Sequence, residues 1–339
     1  MTSLEIKELL GSVTIQDKGR VGYQRFGVPR GGAMDLYALG EGQALLGNHQ
    51  DSAALEFQFG GGAFKVHGTM TLATSGGMME IFLDNKPVPW RCSFRVYPDQ
   101  ELRIQKSSSG IYSYLHLPGG INSSKVLGSR STHFASRLGD VPEKGYHLIP
   151  GSTNLVRQEG LILPTPGYFN SKTIRIVYGP HSPLFNESDL RLLTLKHFQM
   201  SSSRNRMGAQ IKPFDWQISA QTGKTLVSDP IVTGDIQVAA DGTTAILLAD
   251  SQPTGGYPRI ASVISSDLPK IAQLQPGEEF RFELISRKDA QIEFKKWYRE
   301  IADISQALKP LVRDPRKMPN LLSYNFISGV TGGGEDDND

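Results

Sequence analysis

Alternating apolar and polar positions dominate the first half of the chain. The runs GTMTLATSGG (68–77), MEIFLDNKPV (79–88), SFRVYP (93–98), QELRIQ (100–105) and YSYLHLPGG (112–120) alternate or form short β-rich blocks between glycine and turn residues, and predict strands. Within MEIFLDNKPV, Asp84 and Asn85 tolerate left-handed backbone angles and suit a two-residue hairpin loop. The spacing changes in MDLYALGEGQALLGN (34–48). Leu36, Leu39 and Leu46 share one helical face there, Asp35 can cap the start and Gly47 can end it, although Gly40 and Gly42 weaken the helix.

A stretch rich in proline and glycine, LILPTPGYFNSKT (161–173), reads as a linker. Beyond it IRIVYGP (174–180) resumes as a strand, NESDLRLLTLKHFQM (186–200) looks helical from a cap near Asn186, and TTAILLAD, PRIASVIS and EEFRFELIS return to strands. Residues 286–309 give the clearest helix: Phe294, Trp297, Ile301, Ile304 and Leu308 recur at spacings of three and four, Ser286 and Asp289 make a capping-box-like start, and Pro310 stops it. The apolar stripe is expected to dock on this chain's own core. The closing GGGEDDND reads as a solvated acidic tail.

The pattern therefore predicts a mainly β, β-rich α+β chain. At 339 residues it exceeds a usual single core, and the linker suggests boundaries at 1–165, 166–285 and 286–339, the last a helix with its tail. Hydrophobic content of 38% with 21% charged residues fits folded cores, and a net charge of +2 makes no case for nucleic acid or a membrane surface as partner. The single cysteine, Cys92, excludes an intramolecular disulfide and a cysteine zinc cluster. With no secretory or membrane-spanning stretch, a cytoplasmic setting is expected.

Familiar catalytic signatures are missing. SAQTGKT (219–225) ends like a phosphate-binding loop, but that pattern needs glycine where Ile218 stands, so the segment reads as a turn. No HExxH, GxSxG or GxGxxG occurs, the seven histidines lie scattered, and no metal site is expected.

Three polar runs remain. In SVTIQDKGRVGYQRFGVPRGGAMD (12–35), glycines could bring Gln16, Asp17 and Arg20 to a carboxylate or carbonyl ligand. Alternatively, Asp17 pairs with Arg20 while Asp35 caps the helix. SSSRNRMGAQI (201–211) clusters donors around Asn205 and Arg206, fit for an anion or a planar amide, or simply for a polar turn after a helix. LLADSQPTGGYPRIASV (247–263) ends a strand in Asp250 and Gln252, followed by Thr254, two glycines and Tyr257. Such a run lines a pocket or makes a β-turn, and three of them in one chain favour a shared cleft.

Read in order, the segments TIQDKGRVGYQRFGVPRGGAMD, LLGNHQDSAALEFQFGG, YLHLPGGI, LGSRST, RIVYGP, RNRMG, GDIQV and DSQPTGGYPRIASVISSDLPKIAQLQPG resemble a carboxyltransferase-type family. That family includes the C component of bacterial ATP-dependent 5-oxoprolinase, the second carboxyltransferase region of urea carboxylase (allophanate hydrolase subunit 2) and the antagonist of a sporulation-kinase inhibitor. The resemblance implies two cyclophilin-like β-barrels facing a cleft. For the oxoprolinase branch it implies A and B subunits as partners, a lactam substrate, and ATP used by the complex at a site the sequence does not reveal. For the urea branch it implies carboxyl transfer from biotin carried on another chain, and for the third branch a kinase-inhibitor-like protein partner without catalysis. Carried over motif by motif, the site comprises Gln16, Arg20, Arg130, Asn205, Arg206, Gln252, Thr254 and Tyr257 for ligand binding, with Asp17, Glu56 or Asp250 handling a proton. Glu56 reads equally as a buried partner of an arginine. The chain departs from the family pattern at Arg204, where relatives carry serine, at SDPIVTGDIQVAA, and at QPTGGYP in place of QTTGGYP.

Overall fold

The computed structural model describes residues 2–153, 159–214, 216–218 and 226–312. In the first half, β1 (Ser3–Gln16) and β2 (Ala54–His67) form a long antiparallel pair. Around them lie β3 (Met70–Met78), β4 (Ile81–Leu83), β5 (Lys86–Val88), β6 (Ser93–Val96), β7 (Glu101–Ile104), β8 (Ser109–His116) and β9 (His147–Leu148). They make one barrel-like sheet in the order β5-β4-β7-β2-β8-β3-β6, with β1 joining β2 to β9. The hairpin expected at Asp84–Asn85 is present, both residues having positive φ.

Helix α1 (Leu36–Leu46) lies against β3 and β8, capped by Asp35 through Ala38 N (2.9 Å) and ended by left-handed Gly47. Its weak helix formers have a packing reason. A Cβ on Gly42 would meet the His116 ring at 2.0 Å, and one on Gly40 would meet Ile301 at 2.9 Å. These two glycines allow close approach by the sheet on one side and the C-terminal segment on the other.

The second half is a closed barrel built from β11 (Thr173–Tyr178), β12 (His197–Arg204), β13 (Gly208–Pro213), β15 (Asp235–Val238), β16 (Thr244–Leu247), β18 (Arg259–Val263) and β19 (Glu279–Leu284). A parallel β11–β19 pairing closes it. Minor strands complete the chain order: β14 (Asp229–Pro230) pairs with β17 (Thr254–Gly255), and β10 (Leu161–Ile162) pairs with β20 (Lys309–Pro310).

The helix expected over 186–200 is shorter. Helix α2 spans Glu187–Leu195, and His197 onward belongs to β12 because Phe198 and Met200 alternate into the barrel core. There Phe198, Phe280 and Phe282 pack ring on ring, each such burial contributing roughly 1.5–3 kcal/mol. A short helix α3 (Leu268–Gln273) was not anticipated.

The linker expected at 161–173 is tied down at its start. Leu161–Ile162 pair with β20, and Arg91 Nη2 donates to Pro164 O at 2.7 Å. One hydrophobic cluster belongs to the first sheet alone, whereas another joins α1, β8 and the closed barrel in a continuous core.

Helix α4 (Arg287–Asp303) starts at Ser286, whose hydroxyl accepts from Asp289 N (3.1 Å). The expected docking of its stripe holds only at the end. Ile301 and Ile304 pack beside Leu45 and Leu46, but none of the 17 residues of α4 is buried. Among the described residues no helix is long and apolar enough to cross a membrane. The tail and the SAQTGKT segment lie outside the described residues.

Candidate functional site

The first polar run folds as a double-backed loop between β1 and α1. Arg20 N donates to Arg30 O (2.7 Å) and Ala33 N to Asp17 O (2.8 Å), laying the Asp17–Arg20 segment on the Arg30–Ala33 segment. Only glycine permits this approach at Gly32, where φ is +92° and a Cβ would lie 2.8 Å from Gly19 N. Asp17 holds the loop to the 127–132 segment. Its Oδ1 accepts from Gly19 N (2.8 Å), Ser129 Oγ (2.6 Å) and Ser131 Oγ (2.6 Å), and its Oδ2 from Arg130 N (2.7 Å). These charge-assisted bonds make Asp17 an anchor.

Arg20 is 1% exposed and donates to Ser131 O (2.6 Å) and Val126 O (3.2 Å), while its Nη1 has no hydrogen-bond partner. A Cβ on Gly31 would lie 3.7 Å from that Nη1 and 3.7 Å from Asp250 Oδ1, so a guanidinium corner and a carboxylate oxygen flank one glycine. Burial lowers the Arg20 pKa, opposed by Asp17 and Asp250. Gln16 is fully buried. Its amide nitrogen donates to Thr14 Oγ1 and Thr132 O (both 3.0 Å), and its Oε1 is unpaired.

The second and third runs meet the first at Arg206. Its Nε and Nη2 form a fork onto Asp250 (2.8 and 2.9 Å), Nη2 also donates to Gly32 O (2.7 Å), and Nη1 pairs with Glu56. Backbone bonds reinforce the junction, from Gly31 N to Ala249 O (3.1 Å) and from Asp250 N to Arg206 O (2.9 Å). Burial lowers the Arg206 pKa, but Glu56 and Asp250 outweigh it and hold the guanidinium charged, while burial pushes Glu56 up against the pull of Arg206.

Glu56 Oε2 also accepts from Met34 N (2.9 Å) and Tyr114 OH (2.8 Å). The Tyr114 hydroxyl oxygen accepts from Asp35 N (2.8 Å), and Asp35 Oδ2 accepts from Tyr168 OH (2.6 Å) and Gln273 Nε2 (2.9 Å). Asp35 is thus both the expected helix cap and a member of a buried network spanning both sheets. Sequence reading missed Tyr114, Tyr168 and Gln273, because nothing local marks residues so far apart along the chain as neighbours.

The remaining candidates sit apart from this junction. Arg130 is half-buried, and its side chain donates to Asn122 Oδ1 (2.9 Å). Asn205 closes the β12–β13 turn by accepting from Met207 N (2.8 Å) and Gly208 N (3.2 Å), with its side chain exposed. Gln252, Thr254 and Tyr257 are exposed along the third run. Arg204, the departure from the family pattern, donates to Ala272 O (2.9 Å), Ile271 O (3.4 Å) and Leu274 O, satisfying carbonyls at the end of α3. Beside the junction opens a cleft of about 1140 Å³ between α1, the 30–34 segment, the 262–269 segment and α4. Among the described residues, no group of three or more His, Cys, Asp or Glu side chains is placed to hold a metal ion.

A double-backed glycine loop is thus locked to a closed barrel through a buried arginine, in a unit of two large sheets. The chain belongs to the carboxyltransferase domain family, subdomains A and B, whose model matches residues 26–284. It is 31% identical over 291 residues to the C component of 5-oxoprolinase from Haemophilus influenzae, a match covering 85% of this chain and 93% of that one. The crystal structure of TTHA0988 superposes with a TM-score of 0.75 at 26% identity, over 84% of this chain and 55% of that one. This chain therefore spans only about half of that protein. The urea amidolyase of K. lactis shares the fold, with a TM-score of 0.79 at 23% identity over 92% of this chain and 21% of its own length.

Proposed function

We propose that this chain is the C component of an ATP-dependent 5-oxoprolinase, which opens the lactam of 5-oxoproline to glutamate together with separate A and B subunits. The observation that carries this reading is the match along 93% of a chain named as the C component of 5-oxoprolinase. In this reading the two sheets are cyclophilin-like domains, 1–165 and 166–285, and residues 286–339 form the C-terminal helix and tail. ATP is consumed by the complex.

Lactam opening develops negative charge on the amide oxygen, which preorganised donors stabilise. Arg20 supports that role because its Nη1 is buried and unpaired beside Asp250. Asp250 is the preferred proton acceptor of the three carboxylates, since its side chain accepts two hydrogen bonds, both from Arg206, against three on Glu56 and four on Asp17, and its Oδ1 faces the Gly31 position beside Arg20. Gln16 and Arg206 hold the site together, while Arg130, Asn205, Gln252, Thr254 and Tyr257 have side chains accessible to a ligand.

The second reading, a biotin-dependent carboxyltransferase component, draws support from the fold shared with urea amidolyase. Avidin, which sequesters biotin, separates the two. Under the first reading the chain and its A and B partners release glutamate from 5-oxoproline with ATP, and avidin leaves the rate unchanged. Turnover that avidin abolishes would move the assignment to carboxyl transfer.

A further inference from the structure

The cleft beneath α4 is lined by none of the candidate ligand-binding or proton-handling residues. Leu36 and Leu39 of α1 and Leu268 form one side, and Phe294, Trp297 and Tyr298 of α4 form the other. Phe294 is 44% and Tyr298 54% exposed, so α4 turns its aromatic face toward open space, held by the Arg175–Glu293 pair (2.6 Å) and by Ile301. Left open, this apolar surface forgoes the stabilisation that covering it would bring.

Charge distinguishes the cleft from an ordinary packing gap. Lys18, Arg30 and Lys295 line it and no aspartate or glutamate does, although Lys18 pairs with Asp51 at 3.5 Å. Among the described residues, the Arg30 guanidinium has no hydrogen-bond or ion-pair partner. Arg30 is followed by Gly31, the glycine flanked by Arg20 Nη1 and Asp250 Oδ1. A volume of about 1140 Å³ is ample for a small organic molecule. Aromatic walls accept a planar or apolar body, and the Arg30 guanidinium with the Lys295 ammonium accepts an oxyanion.

We infer that this cleft binds an organic oxyanion carrying a planar body, with Arg30 and Lys295 holding the anion and Trp297 covering the ring. Two compounds of the proposed reaction share this chemistry, the phosphates of ATP and the carboxylate of 5-oxoproline. The inference rests on the oxoprolinase reading only for the choice of these two probes.

The test uses the full chain alone and follows tryptophan fluorescence and titration calorimetry with ATP, 5-oxoproline and inorganic phosphate. Trp297→Phe assigns the optical signal, since Trp90 and Trp216 also emit. Saturable binding of ATP or of 5-oxoproline is expected, weakened at least about tenfold in Arg30→Ala, in keeping with loss of one charge-assisted bond, with the melting temperature unchanged. Whichever compound binds identifies the source of the anion, and phosphate alone is expected to bind more weakly than ATP. Absence of saturable binding by both compounds at millimolar concentration would overturn the inference, as would equal affinity in Arg30→Ala. A Trp297 signal moved only by a partner protein would also overturn it, marking the cleft as a protein-docking groove. Binding without glutamate release by the reconstituted complex would leave the cleft assignment standing and remove the oxoprolinase reading.

Discussion

Arg206 shows how one side chain joins distant parts of the chain. Replacing it with alanine leaves Glu56 and Asp250 buried without the guanidinium that pairs with both, a loss that costs about 3–5 kcal/mol in comparable buried pairs. Arg206→Ala is therefore expected to unfold at markedly lower denaturant concentration, whereas Gln252→Ala, at an exposed position, should match the wild type. Equal stability of Arg206→Ala and wild type would contradict the junction described. His116 supplies a pH signature, because burial lowers its pKa to about 3. The unfolded chain then binds more protons than the folded one between about pH 6.5 and 3. Stability is fully present above the unfolded value and falls on acidification, by about 1.4 kcal/mol per pH unit within that window. His116→Leu should flatten this part of the stability profile, and an unchanged slope would show that His116 does not titrate as described.

At the scale of elements, local signals were legible where they act over a few residues. Asp35 and Gly47 bound α1, Ser286 starts α4, and Asp84–Asn85 turns a hairpin, each through bonds or backbone angles within a few positions. Signals that depend on distant partners were not legible. His197–Met200 continue a helical pattern in sequence but are drawn into the barrel by β13 and β19, and the linker start is held by β20, far along the chain. Gly42 tests the distinction. Helix propensity alone makes Gly42→Ala stabilising by about 1 kcal/mol, but contact of the new Cβ with His116 at 2.0 Å predicts net destabilisation of roughly 1–3 kcal/mol. Thermal melting decides the sign, and a stabilised variant would refute the close approach of α1 to β8.

Across the whole molecule, the site was legible as composition but not as geometry. The sequence marks three polar, glycine-bearing runs, and all three meet at the junction, through the Asp17–Gly32 loop, Arg206 and Asp250. Asn205, Gln252, Thr254 and Tyr257 are exposed and sit apart from it. Glu56 and Arg206 stand 150 positions apart, and a shared core places them in one network. The most direct measurement is ATP-dependent glutamate release from 5-oxoproline by this chain combined with its A and B partners, with each of the three omitted in turn. Release is expected to require all three chains. Release at the same rate without this chain, or none from a stable assembly of all three, would contradict it.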